Sequence, residues 1–315
     1  MKMRQMVMLA TGLCGALAVG VGYADAGNFH ILHSFTGGAT DGANPLGSLI
    51  QSGPTLYGMT PVGGSADNGT IFSESTGGGN PTVLHSFTGA PSDGAHPYYG
   101  SLIQSGSTLY GMTDSGGSSG YGTIFSYTGG TVTVLHSFTG SSVDGASPLG
   151  SLIQSGSTLY GMTSYGGSGS SSRGDGTIFS IDANGTGFRL LHSFTGGATD
   201  GAFPYGSLIQ SGSTLYGMTS SGGSGSNNGT IFSIDANGTG FNVLHSFTGA
   251  DGAHPYGSLI QSGSTLYGMT ESGGSSNYYG TIFSITTPEP ATLALLALGG
   301  LGLLMRRRHK ESRKL

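Results

Sequence analysis

The chain consists of short apolar segments that alternate with polar segments rich in glycine and serine. Where the pattern is clearest, over residues 205–247, the apolar segments carry Leu, Ile, Tyr, Phe and Thr and are bounded by Gly, Ser and Asn, which is typical of strands and turns. The pattern predicts four strands, over 205–210, 214–219, 229–234 and 241–247. No window has the spacing of apolar residues that an amphipathic helix requires.

The same four-strand unit occurs five times along the chain. Its copies can be followed through one histidine in each, at intervals of 51 to 56 residues: His33, His85, His136, His192 and His245. A fixed period of this length indicates a propeller, a solenoid or another repeat array. Four short antiparallel strands per period favour the blade of a propeller.

The order of strands predicts how the array ends. A lone strand of the fourth type, over 31–35, precedes the first complete unit, and the last unit, over 257–285, has no fourth strand. We therefore predict an all-β fold over residues 27–287, a five-bladed β-propeller of four-stranded antiparallel blades. The N-terminal strand would complete the last blade and close the ring, which removes exposed sheet edges. An open array is the alternative.

Charge is sparse and unevenly distributed. Residues 27–287 hold two basic residues, Arg173 and Arg189, and twelve acidic residues, a net charge of −10. This balance argues against a nucleic-acid partner, which needs a basic surface. The one cysteine, Cys14, precedes this region, so neither a disulfide nor thiol chemistry is expected within residues 27–287.

The N-terminal residues 1–26 have the composition of a secretory signal peptide. Lys2 and Arg4 precede an apolar run, and Ala24 and Ala26 form the small-residue pattern at which cleavage is expected. A membrane anchor that is never cleaved is the alternative. Cleavage after Ala26 would release the repeat region outside the cytoplasm.

The C-terminal residues 288–315 form a second predicted signal. Pro288, Glu289 and Pro290 precede an apolar segment over 291–305 that ends at the basic cluster Arg306, Arg307 and Arg308. As a helix this segment would be ~22 Å long, shorter than the ~30 Å hydrocarbon core of a membrane. It would still lodge in a membrane, at least transiently, with the arginines on the cytoplasmic side.

This tail resembles the PEP-CTERM sorting signal of Gram-negative bacteria, with Thr287 at the position where valine is more usual. The resemblance implies export, transient recognition by an exosortase-type membrane protease, and display on the cell surface or release from it. It also implies an association with exopolysaccharide and biofilm production.

The repeat itself resembles the Gloeo/Verruco (GloVer) tandem repeat of bacterial surface proteins. The runs that carry the resemblance are Leu-His-Ser-Phe, Gly-Ser-Leu-Ile, Leu-Tyr-Gly-Met-Thr and Gly-Thr-Ile-Phe-Ser, and they recur over residues 31–285. The chain has no tryptophan and therefore no Trp-Asp signature. The resemblance implies a surface protein and leaves the ligand open.

Candidate ligand-binding residues lie in the connections between units, where propellers place binding groups. They are the aspartates of a repeated Asp-Gly-Ala and three tyrosines that follow the proline of the connection: Asp41, Asp93, Asp144, Asp200, Asp251, Tyr98, Tyr205 and Tyr256. The alternative for the aspartates is a turn in which each one caps its own backbone. The repeated histidines are expected to tie strands to connections, because equivalent positions on outer strands lie too far apart to bind one metal ion. We predict neither a metal nor a cofactor.

Together with the repeated architecture, the two resemblances imply a non-enzymatic extracellular or surface module that binds glycan or another extracellular partner, with repeated sites giving avidity for a polymer. The alternatives are an enzyme that acts on extracellular polysaccharide and a purely structural coat protein. A glycosidase needs two carboxylates in different environments, which a near-symmetric repeat does not favour. The non-repeated carboxylates are interpreted as solvated loop charges: Asp67, Glu74, Asp114, Asp175 and Glu271.

Overall fold

The computed structural model describes residues 29–275 and 278–287. Backbone contacts divide the chain into two units, 1–31 and 32–315. In the first unit only residues 29–31 are described, and they form no strand. The predicted signal peptide with Ala24 and Ala26, and the predicted sorting tail over 288–315, lie outside the described residues.

The second unit contains the repeats, which we number 1 to 5 over residues 37–88, 89–139, 140–195, 196–248 and 249–287. In repeats 1 and 2 the strands are β1 Gly42–Ala43, β2 Ile50–Ser52, β3 Thr55–Thr60, β4 Val62–Gly63, β5 Thr70–Ser75, β6 Thr82–Ser86, β7 Gly94–Ala95, β8 Ile103–Ser105, β9 Thr108–Thr113, β10 Ser115–Gly116, β11 Thr123–Thr128 and β12 Thr131–Ser137. In repeat 3 they are β13 Ile153–Ser155, β14 Thr158–Thr163, β15 Thr177–Asp182 and β16 Arg189–Ser193. In repeats 4 and 5 they are β17 Gly201–Ala202, β18 Ile209–Ser211, β19 Thr214–Thr219, β20 Ser221–Gly222, β21 Thr230–Asp235, β22 Asn242–Ser246, β23 Ile260–Ser262, β24 Thr265–Thr270 and β25 Thr281–Thr286.

Each of repeats 1 to 4 forms one four-stranded antiparallel sheet. The sheet orders are β2-β3-β5-β6, β8-β9-β11-β12, β13-β14-β15-β16 and β18-β19-β21-β22, so the four strands of each sheet are arranged in chain order. This confirms the all-β, four-stranded prediction. The bounds of β19 match the predicted second strand, whereas the first strand begins later than predicted, at Ile209.

The apolar core lies at the junctions between consecutive repeats. Between repeats 1 and 2, Met59, Ile71 and Phe87 pack with Leu102 and Phe125 in one buried cluster. The rings of Phe87 and Phe125 meet edge to face, with centroids 5.3 Å apart. Because each sheet buries its apolar residues against the next sheet, the repeats form a propeller-like all-β stack.

A glycine in the middle of the second strand makes room for the phenylalanine of the third strand. A Cβ built on Gly217 would lie only 2.5 Å from Cζ of Phe232, a separation that no real side chain could tolerate. Gly111 and Phe125 repeat this arrangement in repeat 2, at 2.6 Å. The repeated Tyr-Gly-Met therefore reflects close packing within the sheet.

Small two-stranded ladders join the connection of a repeat to its hairpin loop, a feature that the sequence pattern does not predict. In repeat 1, β1 pairs with β4, and the same pairing forms between β7 and β10 and between β17 and β20. Single bridges take their place in the other repeats, Ala146 with Tyr165 and Ala253 with Ser272. These pairings anchor the connections whose side chains are the predicted ligand contacts.

The predicted closing strand is not formed in the structure. Residues 29–37 carry no strand assignment, and the sheet of repeat 5 has three strands, in the order β23-β24-β25. One edge of β25 therefore lacks a strand partner among the described residues. Over the same residues, no helix has the length and hydropathy required to cross a membrane.

Candidate functional site

The repeated histidine pairs with the repeated aspartate that follows it. Nε2 of His85 lies 2.9 Å from a carboxylate oxygen of Asp93, and the other four pairs are separated by 2.9 to 3.2 Å. An ionised carboxylate only accepts hydrogen bonds, so the Nε2–H of the histidine is the donor. The histidines therefore tie outer strands to connections, as expected, although the partner is a carboxylate.

The aspartate of each pair also organises its own loop. Asp93 accepts hydrogen bonds from the backbone N–H and the hydroxyl of Thr88, at 2.9 and 3.2 Å, and from the N–H of Gly94, at 2.8 Å. Burial opposes ionisation of Asp93, but the hydrogen bonds from His85 and the backbone outweigh it and lower the pKa of the carboxyl. The pKa values of Asp41, Asp144, Asp200 and Asp251 are lowered in the same way.

This geometry gives the five predicted ligand-binding aspartates internal partners. Four of them, Asp41, Asp93, Asp144 and Asp200, are buried, with 5 to 8% of their surface exposed. Their carboxylate oxygens accept hydrogen bonds from the protein's own backbone and side chains. This is the arrangement expected if each aspartate caps its own turn, which is the alternative given by the sequence. No cluster of three or more His, Cys, Asp or Glu side chains within residues 29–275 and 278–287 has the geometry of a metal site.

The residue before each connection proline adopts a left-handed conformation in all five repeats. The φ angles of the five residues lie between 53° and 56°: Asn44, His96, Ser147, Phe203 and His254. This conformation is uncommon for residues other than glycine and is costly for a bulky aromatic such as Phe203. Backbone hydrogen bonds hold it on both sides, because the N–H of Phe203 donates to the backbone carbonyl of Asp175 and the carbonyl of Phe203 accepts from the N–H of Ser220. A fixed backbone thus presents a different side chain in most of the repeats.

Aromatic side chains from several repeats gather beside these positions. The rings of Tyr205 and Tyr256 are 5.1 Å apart, and those of Tyr165 and Phe203 are 5.6 Å apart. The guanidinium of Arg173 lies 5.8 Å from the centre of the Tyr165 ring. The connections of repeats 4 and 5 and the hairpin loop of repeat 3 therefore contribute to one aromatic surface.

The protein environment raises the pKa of two tyrosines of this surface and of one nearby carboxyl. Burial and the hydrogen bond with Tyr165 raise the pKa of Tyr205 far above its ordinary value. Burial and the charge of Glu271 raise the pKa of Tyr256. Burial also raises the pKa of the Asp114 carboxyl, against the opposing effects of Ser147 and His96. The tyrosines therefore remain neutral hydrogen-bonding groups at physiological pH.

A cavity of about 950 Å³ opens next to the tyrosines. Its lining includes Tyr99, Tyr205 and Tyr256 together with apolar residues of repeat 5, among them Met269 and Ile282. The volume is in the range of pockets that hold a small molecule. Two of the three predicted tyrosines, Tyr205 and Tyr256, line this cavity.

The third predicted tyrosine lies elsewhere. Tyr98 stacks on His96, with ring centroids 5.9 Å apart, and Tyr99, in a left-handed conformation, takes the place in the cavity. The Tyr98-Tyr99 pair is an insertion relative to the single residue of the other connections, and this is the signal that identifies Tyr99. Tyr165 and Arg173 lie in the hairpin loop that is longest in repeat 3, which marks that loop as distinct.

Two of the carboxylates interpreted as solvated loop charges are in fact buried. Glu74 lies in β5 and is 7% exposed, with Oε1 accepting from the N–H of Ser75 at 2.8 Å. Asp175 is 3% exposed and accepts from the N–H of Ser170 at 2.6 Å. The interpretation is wrong for both residues, because strand packing and loop capping place them inside.

Comparison with solved structures gives three similar chains of low sequence identity. A nidogen/laminin complex is 16% identical with a TM-score of 0.46, and covers 79% of this chain and 76% of that one. A putative TolB from Agrobacterium tumefaciens is 15% identical with a TM-score of 0.40, covering 75% and 72%. An oligogalacturonate lyase in complex with manganese is 13% identical with a TM-score of 0.44, covering 74% and 59%.

Comparison with protein families gives a direct match over the repeats. No curated protein sequence matches the chain. The profile of the Gloeobacter/Verrucomicrobia repeat matches residues 20–173 and 168–301, which together span most of the chain. The chain therefore belongs to the Gloeobacter/Verrucomicrobia repeat family.

Proposed function

We propose that this protein is a non-catalytic, extracellular carbohydrate-binding module. The observation that carries the proposal is the group of three tyrosine rings, Tyr99, Tyr205 and Tyr256, that line one cavity. Exposed aromatic rings next to hydroxyl groups suit a sugar, which presents apolar C–H faces and polar edges. Tyr99 and Tyr256 are 62% and 46% exposed, so both rings are accessible to a ligand.

The ligand contacts in this proposal come from the tyrosines rather than from the repeated aspartates. The oxygens of the aspartates are engaged by His, Thr and Gly partners. The tyrosines, in contrast, differ between repeats, because Leu46 and Leu149 replace them in repeats 1 and 3. One aromatic site formed by several repeats is therefore better supported than five equivalent sites.

The test is a binding measurement on the full chain, kept in mild detergent. It is applied to an array of bacterial exopolysaccharides and oligosaccharides, and bound ligands are then titrated by calorimetry. Saturable binding of about one oligosaccharide per chain supports the proposal. Absence of binding would favour a structural coat protein, and release of reducing sugar ends would favour an enzyme that acts on polysaccharide.

We also propose that the five repeats form a five-bladed propeller with a closed ring. The support is the position of the segment before repeat 1. The ring of Phe35 packs against Phe72 with centroids 5.1 Å apart, as Phe87 packs against Phe125 at 5.3 Å. Leu32 lies beside Gly78 of repeat 1 in the same way that Leu135 of repeat 2 lies beside Gly185 of repeat 3. These contacts support the proposal that residues 32–35 serve as the outer strand of the blade that precedes repeat 1.

Closure would let this segment pair with the free edge of β25 and complete the three-stranded sheet. Hydrogen exchange tests it directly, since backbone amides of residues 32–35 and 281–286 would be protected together in a closed ring. Rapid exchange in both segments, with protection retained in β19 and β21, would contradict closure.

Export and sorting are further parts of the proposal. We propose that residues 1–26 are a signal peptide cleaved after Ala26 and that residues 288–315 are a sorting signal for an exosortase-type protease. The mature protein would then act at the surface of a Gram-negative cell or in its matrix, next to exopolysaccharide. Mass spectrometry of the exported protein tests both cleavages. Replacement of Pro288, Glu289 and Pro290 by alanine should leave the tail uncut.

A further inference from the structure

The four junctions between consecutive repeats share one set of polar contacts. At each junction, the backbone N–H of a serine donates to the hydroxyl of the equivalent serine in the next repeat, at 2.8 Å. The pairs are Ser48 to Ser101, Ser101 to Ser151, Ser151 to Ser207, and Ser207 to Ser258. Among the described residues no group accepts from the N–H of Ser258, so the series stops at repeat 5.

Repeats 1 and 5, at the two ends of the series, each expose apolar residues whose equivalents are buried at the four junctions. In repeat 5 Met269 is 63% exposed, whereas the equivalent Met218 is 3% exposed. In repeat 1 Leu49 is 53% exposed, whereas the equivalent Leu102 is 1% exposed. The end face of repeat 5, formed by Ile260, Met269 and Ile282, and the end face of repeat 1 around Leu49 are therefore exposed surfaces of the kind that each formed junction buries.

One position makes this fifth junction chemically different from the others. At each formed junction, the second-strand tyrosine of one repeat shares a cluster with a third-strand residue of the next repeat: Tyr57 with Tyr127, Tyr110 with Ile181, Tyr160 with Ile234, and Tyr216 with Ile285. The fifth pair in this series is Tyr267 with Glu74. A carboxylate thus replaces an aromatic or aliphatic residue at this junction alone.

The Glu74 side chain already lies buried in its half of the interface. It is 7% exposed, and its Oε2 atom has no hydrogen-bond partner within the described part of the chain. A buried carboxylate oxygen without a partner is costly, because it has lost its hydration. Tyr267, still 38% exposed, carries a hydroxyl donor at the matching position of the other half.

We propose that the end face of repeat 5 binds the end face of repeat 1 of the same chain, and that the Tyr267 hydroxyl then donates a hydrogen bond to Oε2 of Glu74. The N–H of Ser258 donates to the hydroxyl of Ser48 in the same contact. This inference rests on the proposed ring and assigns the atoms that close it.

The same chain is the partner in this proposal because repeats 2 and 5 already lie close together, since Tyr99 of repeat 2 and Ile282 of repeat 5 line one cavity. Contact between two ends held in one chain is intramolecular and is favoured over contact with a second copy at ordinary concentrations. A head-to-tail assembly of separate chains is the competing outcome.

Engineered cysteines test the contact between the ends. In a Cys14→Ser background, Ser48→Cys with Ser258→Cys probes the proposed junction. Ser207→Cys with Ser258→Cys is the matched control at a junction that the structure contains, with N to Oγ at 2.8 Å. We expect both pairs to form a disulfide within one chain after mild oxidation. Disulfides between chains, or none for the first pair when the control pair forms, would overturn the proposal.

A double-mutant cycle tests the hydrogen bond. Tyr267→Phe should lower the folding equilibrium constant about fivefold when Glu74 is present and leave it unchanged in a Glu74→Ile background. Tyr216→Phe, which faces Ile285 at a formed junction, is the control and should show no dependence on Glu74. Equal effects of Tyr267→Phe in both backgrounds would overturn the Glu74 contact even if the cysteines show closure. Oligosaccharide binding, measured on the same variants, reports separately on the proposed function.

Discussion

The Nε2–H of His85 donates a 2.9 Å hydrogen bond to the carboxylate of Asp93, and this bond joins the outer strand of repeat 1 to the connection of repeat 2. The carboxylate holds its loop at the same time, through Thr88 and Gly94. The pair is repeated at every junction, so a His–Asp bond accompanies each transition from one repeat to the next. These pairs fix the connections that carry the aromatic surface.

Replacing Asp93 with asparagine should destabilise the protein by about 1–3 kcal/mol, because the amide presents a donor to groups that are themselves donors. Asp251→Asn should cost less, since the Asp251 side chain is 42% exposed and the Asp93 side chain 11%. Urea unfolding of both variants measures the difference. Equal losses would show that exposure does not govern the strength of these pairs.

The same carboxylates predict a loss of stability in acid. The pKa values of all five aspartates are lower in the folded protein than the ordinary value of 3.8, so the unfolded chain binds protons more readily. The ionised aspartates stabilise the fold fully at pH values above 3.8. This stabilisation is lost as the pH falls below 3.8 and through the lowered pKa values of the folded protein. Thermal unfolding from pH 7 to pH 2 should show this decline, and Asp93→Asn should make it shallower. If the decline of thermal stability with pH were as steep in Asp93→Asn as in the unmodified protein, Asp93 would not contribute to it.

Closure of the ring predicts the cost of truncating Met269. Met112 is 4% exposed at a formed junction, so Met112→Ala should lower the free energy of unfolding by about 2–5 kcal/mol. Met269→Ala should cost a similar amount if repeat 1 covers the end face of repeat 5. A loss below about 0.5 kcal/mol would instead indicate that Met269 stays exposed, as single surface substitutions usually cost that little.

The aromatic site predicts which tyrosines matter for binding. Tyr205→Ala and Tyr256→Ala should each weaken oligosaccharide binding about tenfold, because each removes a ring that lines the cavity, a loss of the size seen for buried aromatic contacts. Tyr278→Ala is the matched control, since Tyr278 is 79% exposed and does not line that cavity. Calorimetric titration of the three variants distinguishes a local site from a general loss of aromatic surface. Equal weakening by all three would contradict the site.

The repeat sequence alone determined the all-β repeat unit, most of its main strands and the family. Alternation within Thr-Leu-Tyr-Gly-Met-Thr and the flanking Gly and Ser residues are local signals, so β19 could be predicted to the residue. Local patterns also indicated that each connection follows a shared plan with a variable residue before proline. The predicted signals at both ends depend on sequence alone, because those residues lie outside the described structure.

Tertiary structure decided which polar residues face inwards and which aromatic residues meet. The bond between His85 and Asp93 and the burial of Glu74 depend on the packing of one sheet against another, which no local pattern encodes. Tyr205 and Tyr256 come together because successive connections converge, although they are far apart in the chain. The sequence could name the aspartates and the tyrosines as candidates. Only the three-dimensional arrangement shows that the aspartates bind their own loops while the tyrosines border an open cavity, because burial and partner distances are properties of the folded chain.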